Sequence, residues 1–508
     1  MSSPRPRLSV LRIALLTLPA LLLGLAYVYF ETATLATRWP WSACRLAPAL
    51  AVFHGYPLYS PAETGPINGW LYGPVPALAW TPAALAPTPL GALGVAVVVS
   101  LVFLLVPLFF AARIAGRPAG ENALFTLAAF VFGASALLTI YPTWYMASAL
   151  NGDFAAVGLG LASCLVLLSS GETPGWRRLA ASALLTALAG WSKQIEAPLA
   201  LAQLLWLAAR HGRATAKRFL TAGVVIGLVV SAGFVLSYGP SAVLYNMWTI
   251  PSNHAFHGGA RAWFDEGRDY LVYTAVFWFV CAAFAWPVGG ESLRYHSRAW
   301  LADRPWGLPM LAALILLPGG ALATIKVGGD RNSIHSAYYI IAASVLALSH
   351  GGARLAGRFP RLAPFAVLLA ATVPLVVAMR LVASYPHRPE LPAENLSPAA
   401  FAFSREHPGE VYFPWDPLAT LQSEQRLYHF EYGIRDRLFA GVSPSAVQLA
   451  AGLPPRLRYV VYPRTQIPRV MLDRYLPGFA LIASPGGWLI YHRAASTAPT
   501  PASPSPQP

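Results

Sequence analysis

The chain is short of charge. Only 11% of its 508 residues are Asp, Glu, Lys or Arg, whereas a soluble domain carries about one-quarter. With 56% hydrophobic residues and a mean hydropathy of +0.50, an ordinary soluble protein is excluded and a polytopic α-helical membrane protein is predicted. Lysine is scarcer still, with Lys193, Lys217 and Lys326 standing against 33 arginines. The net charge of +15 does not indicate a nucleic-acid partner, because the arginines fall in short groups between apolar runs, as in cytoplasmic loops. The three cysteines, Cys44, Cys164 and Cys281, offer neither a metal-knuckle spacing nor a disulfide framework. No phosphate-cradling P-loop run and no internal or inverted repeat occurs in the sequence. Arginine in place of lysine, together with high Ala, Gly and Pro, fits a GC-rich bacterial genome.

What is present is a series of apolar runs long enough to cross a bilayer, which takes about 20 residues. They lie at about 13–30, 90–112, 121–141, 147–169, 178–193, 196–210, 219–238, 270–288, 307–325, 333–349 and 362–383, and predict about eleven spans. Arg5, Arg7 and Arg12 precede the first run, and no small-x-small cleavage site follows Tyr27-Val-Tyr-Phe-Glu31. A retained first helix with a cytoplasmic N-terminus is therefore expected. Arg113/Arg117, Arg177/Arg178, Arg210/Arg213/Lys217/Arg218, Arg294/Arg298/Arg304 and Arg354/Arg358/Arg361 then all fall on one side of a multi-pass inner (plasma) membrane protein.

The opposite, extracytoplasmic side receives a long first loop at about 31–89 and the C-terminal segment. Residues 1–383 form the expected transmembrane domain, 384–495 a small extracytoplasmic α/β domain, and 496–508 a Pro/Ser/Thr-rich disordered tail. Within the first loop, Ala43–Phe53 and Val75–Leu85 are proline-flanked and short, which predicts interfacial helices. In the C-terminal segment, Glu410–Pro414, Tyr459–Tyr462 and Gly487–Tyr491 read as strands, and Ser445–Ala451 as a helix.

The rare ionisable groups of the apolar region gather at one predicted depth, the outer surface: Glu31, Asp153, Lys193, Glu196, Lys326, Asp330 and Arg331. Charges at such a boundary are costly and face a cavity or one another. The run Lys326-Val-Gly-Gly-Asp-Arg-Asn332 sits between two apolar segments, and its Gly-Gly frees the backbone. It reads either as a phosphate-binding site for a lipid-linked substrate or as a solvated turn with an Asp–Arg pair. Lys193 and Glu196, three apart, face a substrate or pair with each other. Glu31, just past the first span, can serve as a general base or as a solvated helix-end residue; Glu63 lies in Ser60-Pro-Ala-Glu-Thr-Gly65, where a turn role is expected. Asp153 after Asn151-Gly152 is a ligand or a helix cap. Trp70, Tyr72, Tyr141, Trp144, Tyr145, Tyr238, Tyr245, Trp248 and Trp263 cluster on outer loops, where they form an aromatic belt or stack on sugar rings. His254 and His257 have an i,i+3 spacing but no third ligand, so no metal site is assigned; no resident cofactor is assigned either, and dependence on a divalent cation stays open.

A first helix ending in an acid, then His54-Gly-Tyr-Pro-Leu-Tyr59 and Tyr72-Gly-Pro74, resembles the C-type (GT-C) integral-membrane glycosyltransferases. Asn151-Gly-Asp153, Lys193-Gln194 with Ala197-Pro198, and the run 326–332 also look like recurring positions of that superfamily, including its mannosyltransferase and aminoarabinose-transferase types. The resemblance covers the helical region broadly. It implies a polyprenyl-phosphate sugar donor, a glycan, lipid or protein acceptor, and transfer on the outer face of the membrane in the cell envelope. It further implies that Glu31 is the first-loop catalytic base and that Lys326 and Arg331 lie near the donor phosphate. Asp330, Asn332, Lys193, Glu196, Asp153 and Tyr72 are then substrate-binding candidates. Many relatives carry two adjacent acids in the first loop, whereas Glu31 is followed by Thr32. The rival classes are a transporter or flippase of a lipid-linked or anionic substrate, which should show repeats and interrupted helices meeting at the midplane, and an envelope-assembly scaffold.

Overall fold

The structure is a computed structural model describing residues 6–38, 41–117, 123–141, 143–169, 173–285, 304–348, 362–384, 397–464, 469–485 and 487–493. Arg294, Arg298, Arg354, Arg358, Arg361 and the tail 496–508, used above to assign orientation and disorder, lie outside the described residues. Over the described residues each apolar run falls on helix, and among them four helical stretches are long and apolar enough to cross a membrane: Leu15–Thr32, Pro89–Gly116, Gln194–Tyr238 and Gly307–Thr324. Local chemistry sets their ends. Thr88 caps Pro89–Gly116 by accepting from the Gly91 amide at 3.2 Å, with Pro89 pre-set in the first turn. Gly212, at φ 83°, interrupts Leu199–Tyr238 within the basic stretch 210–218, and so divides it into two helices as expected.

Two helices begin or end elsewhere than the sequence suggests. The first runs from Pro6 to Arg38, because no glycine or proline interrupts Thr32–Arg38; Glu31 therefore lies within the helix, and it is buried. The helix expected from 270 starts at Gly259, so Glu266 and Asp269 belong to its first turns and not to a loop. Ser336–Ala347 is buried along its whole length, as a helix apolar all round should be, and Tyr338 donates to the Leu104 carbonyl at 2.6 Å.

The first-loop segments are helical but not interfacial over most of their surface. Trp41–Ala51 buries nine of its eleven residues and packs against Pro417–Glu424, so protein and not lipid covers its apolar side. Val75–Ala79 likewise buries Val75, Pro76 and Ala77, leaving Val52, Phe53, Leu78 and Leu85 as the exposed large apolar groups of the two stretches.

Residues 397–493 build a four-stranded sheet in the order β1 (Val411–Tyr412), β2 (Tyr459–Pro463), β4 (Trp488–Arg493), β3 (Phe479–Ala483). β1 runs parallel to β2, and the other pairs are antiparallel. Helices Ser397–Glu406, Pro417–Glu424, Glu431–Phe439 and Ala446–Ala451 surround it. The third strand and the first three of these helices carry no strong pattern in the sequence. Helix Glu431–Phe439 docks on the first loop. Gly433 meets Gly69, where an added Cβ would approach to 2.7 Å, and buried Arg437 donates at 2.8 Å to each of the Pro61 and Ala62 carbonyls.

Candidate active site

Four elements bring charged groups together at one end of the helices. Asp153 opens helix Asp153–Leu168, and its carboxylate is fully buried. It accepts from Lys193 Nζ at 2.6 Å and from Asn332 Nδ2 at 2.7 Å, and it faces His335 Nε2 at 2.7 Å. The other ring nitrogen of His335 meets Glu196, which also accepts from the Tyr339 hydroxyl. Lys193 reaches Ser333 Oγ at 3.0 Å as well. Asp153 and Glu196 are thus joined through one imidazole inside the protein, which satisfies most of the polar atoms that burial would otherwise penalise. Lys193 and Glu196 do not pair with each other: the extended Lys193 backbone, at φ −151°, turns the ammonium toward Asp153.

Tyr72 forms one wall of this centre. Lys193 Nζ lies 5.9 Å from its ring centroid, and the ring abuts Gly152. The next residue explains the Tyr72-Gly-Pro74 run: a Cβ on Gly73 would fall 1.4 Å from the Trp191 carbonyl oxygen, so only glycine allows the first loop to dock on the turn before Lys193.

Asp330 and Arg331 form an adjoining cluster. Asp330 accepts from the Tyr141 hydroxyl at 3.0 Å and from the Arg331 amide at 2.6 Å, which anchors the short turn Arg331–Ser333. The Arg331 guanidinium pairs with Glu266 at 3.1 Å and Asp269 at 3.2 Å, and lies 6.0 Å from the Tyr141 ring centroid. Lys326 stands apart, half-buried, with its ammonium 5.2 Å from the Phe256 ring centroid; partial burial lowers its pKa. Glu31 is one helical turn beyond Tyr27, whose ring packs edge-on against Trp144 at 5.3 Å. It therefore sits on the helix face turned toward the Tyr141–Tyr145 segment. Glu63 is exposed in its turn.

His254 is taken up by structure. Its ring nitrogens meet the Val327 carbonyl at 3.0 Å and the Asp436 carbonyl at 2.9 Å, tying the 326–330 turn to helix Glu431–Phe439. Among the described residues no group of three or more His, Cys, Asp or Glu side chains is arranged to hold a metal ion.

The sequence reading missed His335, Tyr339, Glu266, Asp269 and Asp436. His335 carried a usable signal, an ionisable residue at the head of an otherwise apolar helix. Asp436 carried none, because its approach to the site depends on how residues 397–493 fold back.

No family model and no curated protein sequence matches the chain. Among solved structures, the chain is similar to the crystal structure of ArnT from Cupriavidus metallidurans bound to undecaprenyl phosphate. That match has a TM-score of 0.57 and 13% identity, and covers 95% of this chain and 98% of that one. The apo-state structure of the same protein gives a TM-score of 0.52 at 13% identity, over 89% and 93% of the two chains. This likeness is one of fold, and it agrees with the GT-C resemblance read from the sequence.

Proposed function

We propose that the chain is a membrane glycosyltransferase of GT-C type. It would transfer a sugar from a polyprenyl-phosphate donor to an acceptor hydroxyl at the extracytoplasmic face, with the N-terminus in the cytoplasm and residues 384–495 outside. The observation that carries this reading is an apolar cavity that ends beside the buried charged cluster. An apolar cavity of ≈590 Å³ lies between helices Trp176–Gly190 and Leu199–Tyr238, lined by Phe219, Gly223, Val224 and Gly227, and it reaches Trp191 and Gln194 beside Lys193. A prenyl tail suits the apolar part, and its phosphate suits the polar end. The fold shared with ArnT, a protein solved with undecaprenyl phosphate bound, supports the same donor class.

In the reaction, the acceptor hydroxyl gives its proton to Glu31 as its oxygen bonds to the anomeric carbon. The bond from that carbon to the phosphate oxygen breaks, and the electron pair leaves on the phosphate, whose charge Lys326 meets, joined by Arg331 only when it exchanges Glu266 and Asp269 for the phosphate. A single displacement inverts the anomeric centre. Asp153, Lys193, Glu196 and Asn332 hold the floor of the site, with Asp330 and Tyr72 at its walls.

The test is transfer from a panel of radiolabelled polyprenyl-phosphate sugars in acceptor-bearing membranes. Wild type should transfer from at least one donor. Glu31→Gln, with expression intact, should lose about 10²- to 10⁴-fold, and Lys326→Ala should weaken donor use. Absence of transfer from every donor overturns the enzyme reading, whereas full activity in Glu31→Gln moves the base to Asp153 or Glu63.

A further inference from the structure

His335 stands between two buried carboxylates. Its Nε2 faces Asp153 Oδ1 at 2.7 Å, and its Nδ1 meets Glu196 Oε2. All three side chains are at most 1% exposed. A neutral imidazole carries one N–H, so it donates to one carboxylate and turns a lone pair on the other. With a proton on each ring nitrogen, both contacts become charge-assisted hydrogen bonds. The charges also balance in that state. Asp153 and Glu196 bring two negative charges, Lys193 brings one positive charge, and the doubly protonated ring supplies the second. A buried unit of zero net charge avoids the cost of an unbalanced ion.

The same unit holds two turns at the site. Asn332 Nδ2 donates to Asp153 at 2.7 Å and Lys193 donates to Ser333 Oγ at 3.0 Å, so Asn332, Ser333 and His335 are all tied to it. That run follows directly on Asp330 and Arg331. On the other side, Lys193 and Glu196 flank the turn whose Gln194 lines the end of the apolar cavity. Glycine keeps the space open. A Cβ on Gly160 would fall 2.0 Å from the Tyr339 hydroxyl and 2.7 Å from Glu196 Oε1, and one on Gly320 would fall 2.8 Å from the Ser333 carbonyl oxygen.

We propose that His335 is a positioning residue, protonated on both ring nitrogens, whose bridge between Asp153 and Glu196 fixes the turns 193–196 and 331–335 for transfer; this rests on the glycosyltransferase reading above. The ring itself touches no substrate. It acts through Asp153 on Lys193 and Asn332, and through Glu196 on the turn beside the cavity. Tyr339, which donates to Glu196 from the next helical turn, holds that carboxylate in line with the ring.

The experiment uses the full chain, ¹⁵N-labelled at histidine, in nanodiscs at neutral pH. Solid-state NMR should show a histidine with both ring nitrogens protonated, absent from His335→Gln and singly protonated in Glu196→Gln, where one carboxylate is gone. Transfer kinetics on the same preparations give a second readout. His335→Gln leaves two carboxylates against one cation, and should lower kcat/KM about tenfold or more. Adding Glu196→Gln restores the balance and should recover most of that loss, a rescue that a role in packing alone does not give. Gly160→Ala crowds Glu196 and Tyr339 without removing an ionisable group, and should lower transfer as His335→Gln does. If His335→Gln does not fold, the change of signal between wild type and Glu196→Gln still decides. A bare ring nitrogen in wild type, as when Glu196 holds the proton, or a double variant poorer than His335→Gln, overturns the assignment and leaves the enzyme reading intact. Wild type that transfers from no donor removes the enzyme reading and the positioning role together.

Discussion

Breaking the Lys193–Asp153 pair tests whether the buried charges act as one unit. Asp153 is fully buried and receives three polar neighbours at 2.6–2.7 Å, while Lys193 keeps only 12% of its side-chain surface exposed. Lys193→Met removes the cation and leaves the carboxylate with Asn332 and His335. Removing one partner from a buried pair of this kind costs about 3–5 kcal/mol, because the remaining charge has lost both water and counter-ion. Asp153→Asn strands the ammonium and should cost a similar amount. The double variant carries neither charge, so its loss should fall short of the sum of the single losses by about 1–3 kcal/mol, the range for residues that share a network. Tryptophan fluorescence during denaturant titration in mixed micelles measures all four proteins, and fully buried Trp70, Trp80, Trp306 and Trp415 give the signal. Single losses below about 1 kcal/mol, or a strictly additive double variant, would refute the coupled network. In that event the three short contacts describe proximity without mutual dependence.

Other consequences follow from single residues. Asp416 is buried with neither carboxylate oxygen hydrogen-bonded, and burial pushes it up to about 7. Its folded-state value lies above its unfolded one, so the folded state pays nothing below about pH 4 and loses stability as the pH rises to about 7. The difference from the ordinary aspartate value of 3.8 corresponds to ~4 kcal/mol as an upper bound. Asp416→Asn should therefore match wild type at pH 4 and exceed it in thermal unfolding at pH 8, and an equal gain at both pH values would refute the cause. Gly73→Ala should abolish transfer without removing any ionisable group, because the new methyl collides with the Trp191 backbone; ordinary activity would show that the first loop does not need that docking. Arg437→Met removes three donated contacts, to Pro61, Ala62 and Gln448. It should expose the link between first loop and C-terminal segment to limited proteolysis, with a loss of about 3 kcal/mol or more.

The helices were legible in the sequence because their signal is local: apolar length and basic flanks such as Arg210, Arg213, Lys217 and Arg218 act within one turn or one span. The same locality explains why Asp153, Lys193, Glu196, Asp330, Arg331 and Asn332 could be picked out, since an ionisable or amide residue stands out against an apolar background whatever it touches. Their partners could not be read in this way. Lys193 and Glu196 invite an i,i+3 pairing, yet the backbone between them is a 3-10 turn entered from an extended residue, and that geometry sends each to a different helix. Arg331 looked available for a phosphate until helix Gly259–Ala285 began a few turns early and brought Glu266 and Asp269 against it. Arg45 shows the converse. In the sequence it is one arginine among 33, inside a stretch that reads as an interfacial helix. Only when helix Pro417–Glu424 packs on that stretch is the arginine drawn into the protein, where one guanidinium nitrogen donates to the Ala149 carbonyl at 3.1 Å. The chemistry of a lone charge is set by what the fold withholds from it, and no local pattern records that.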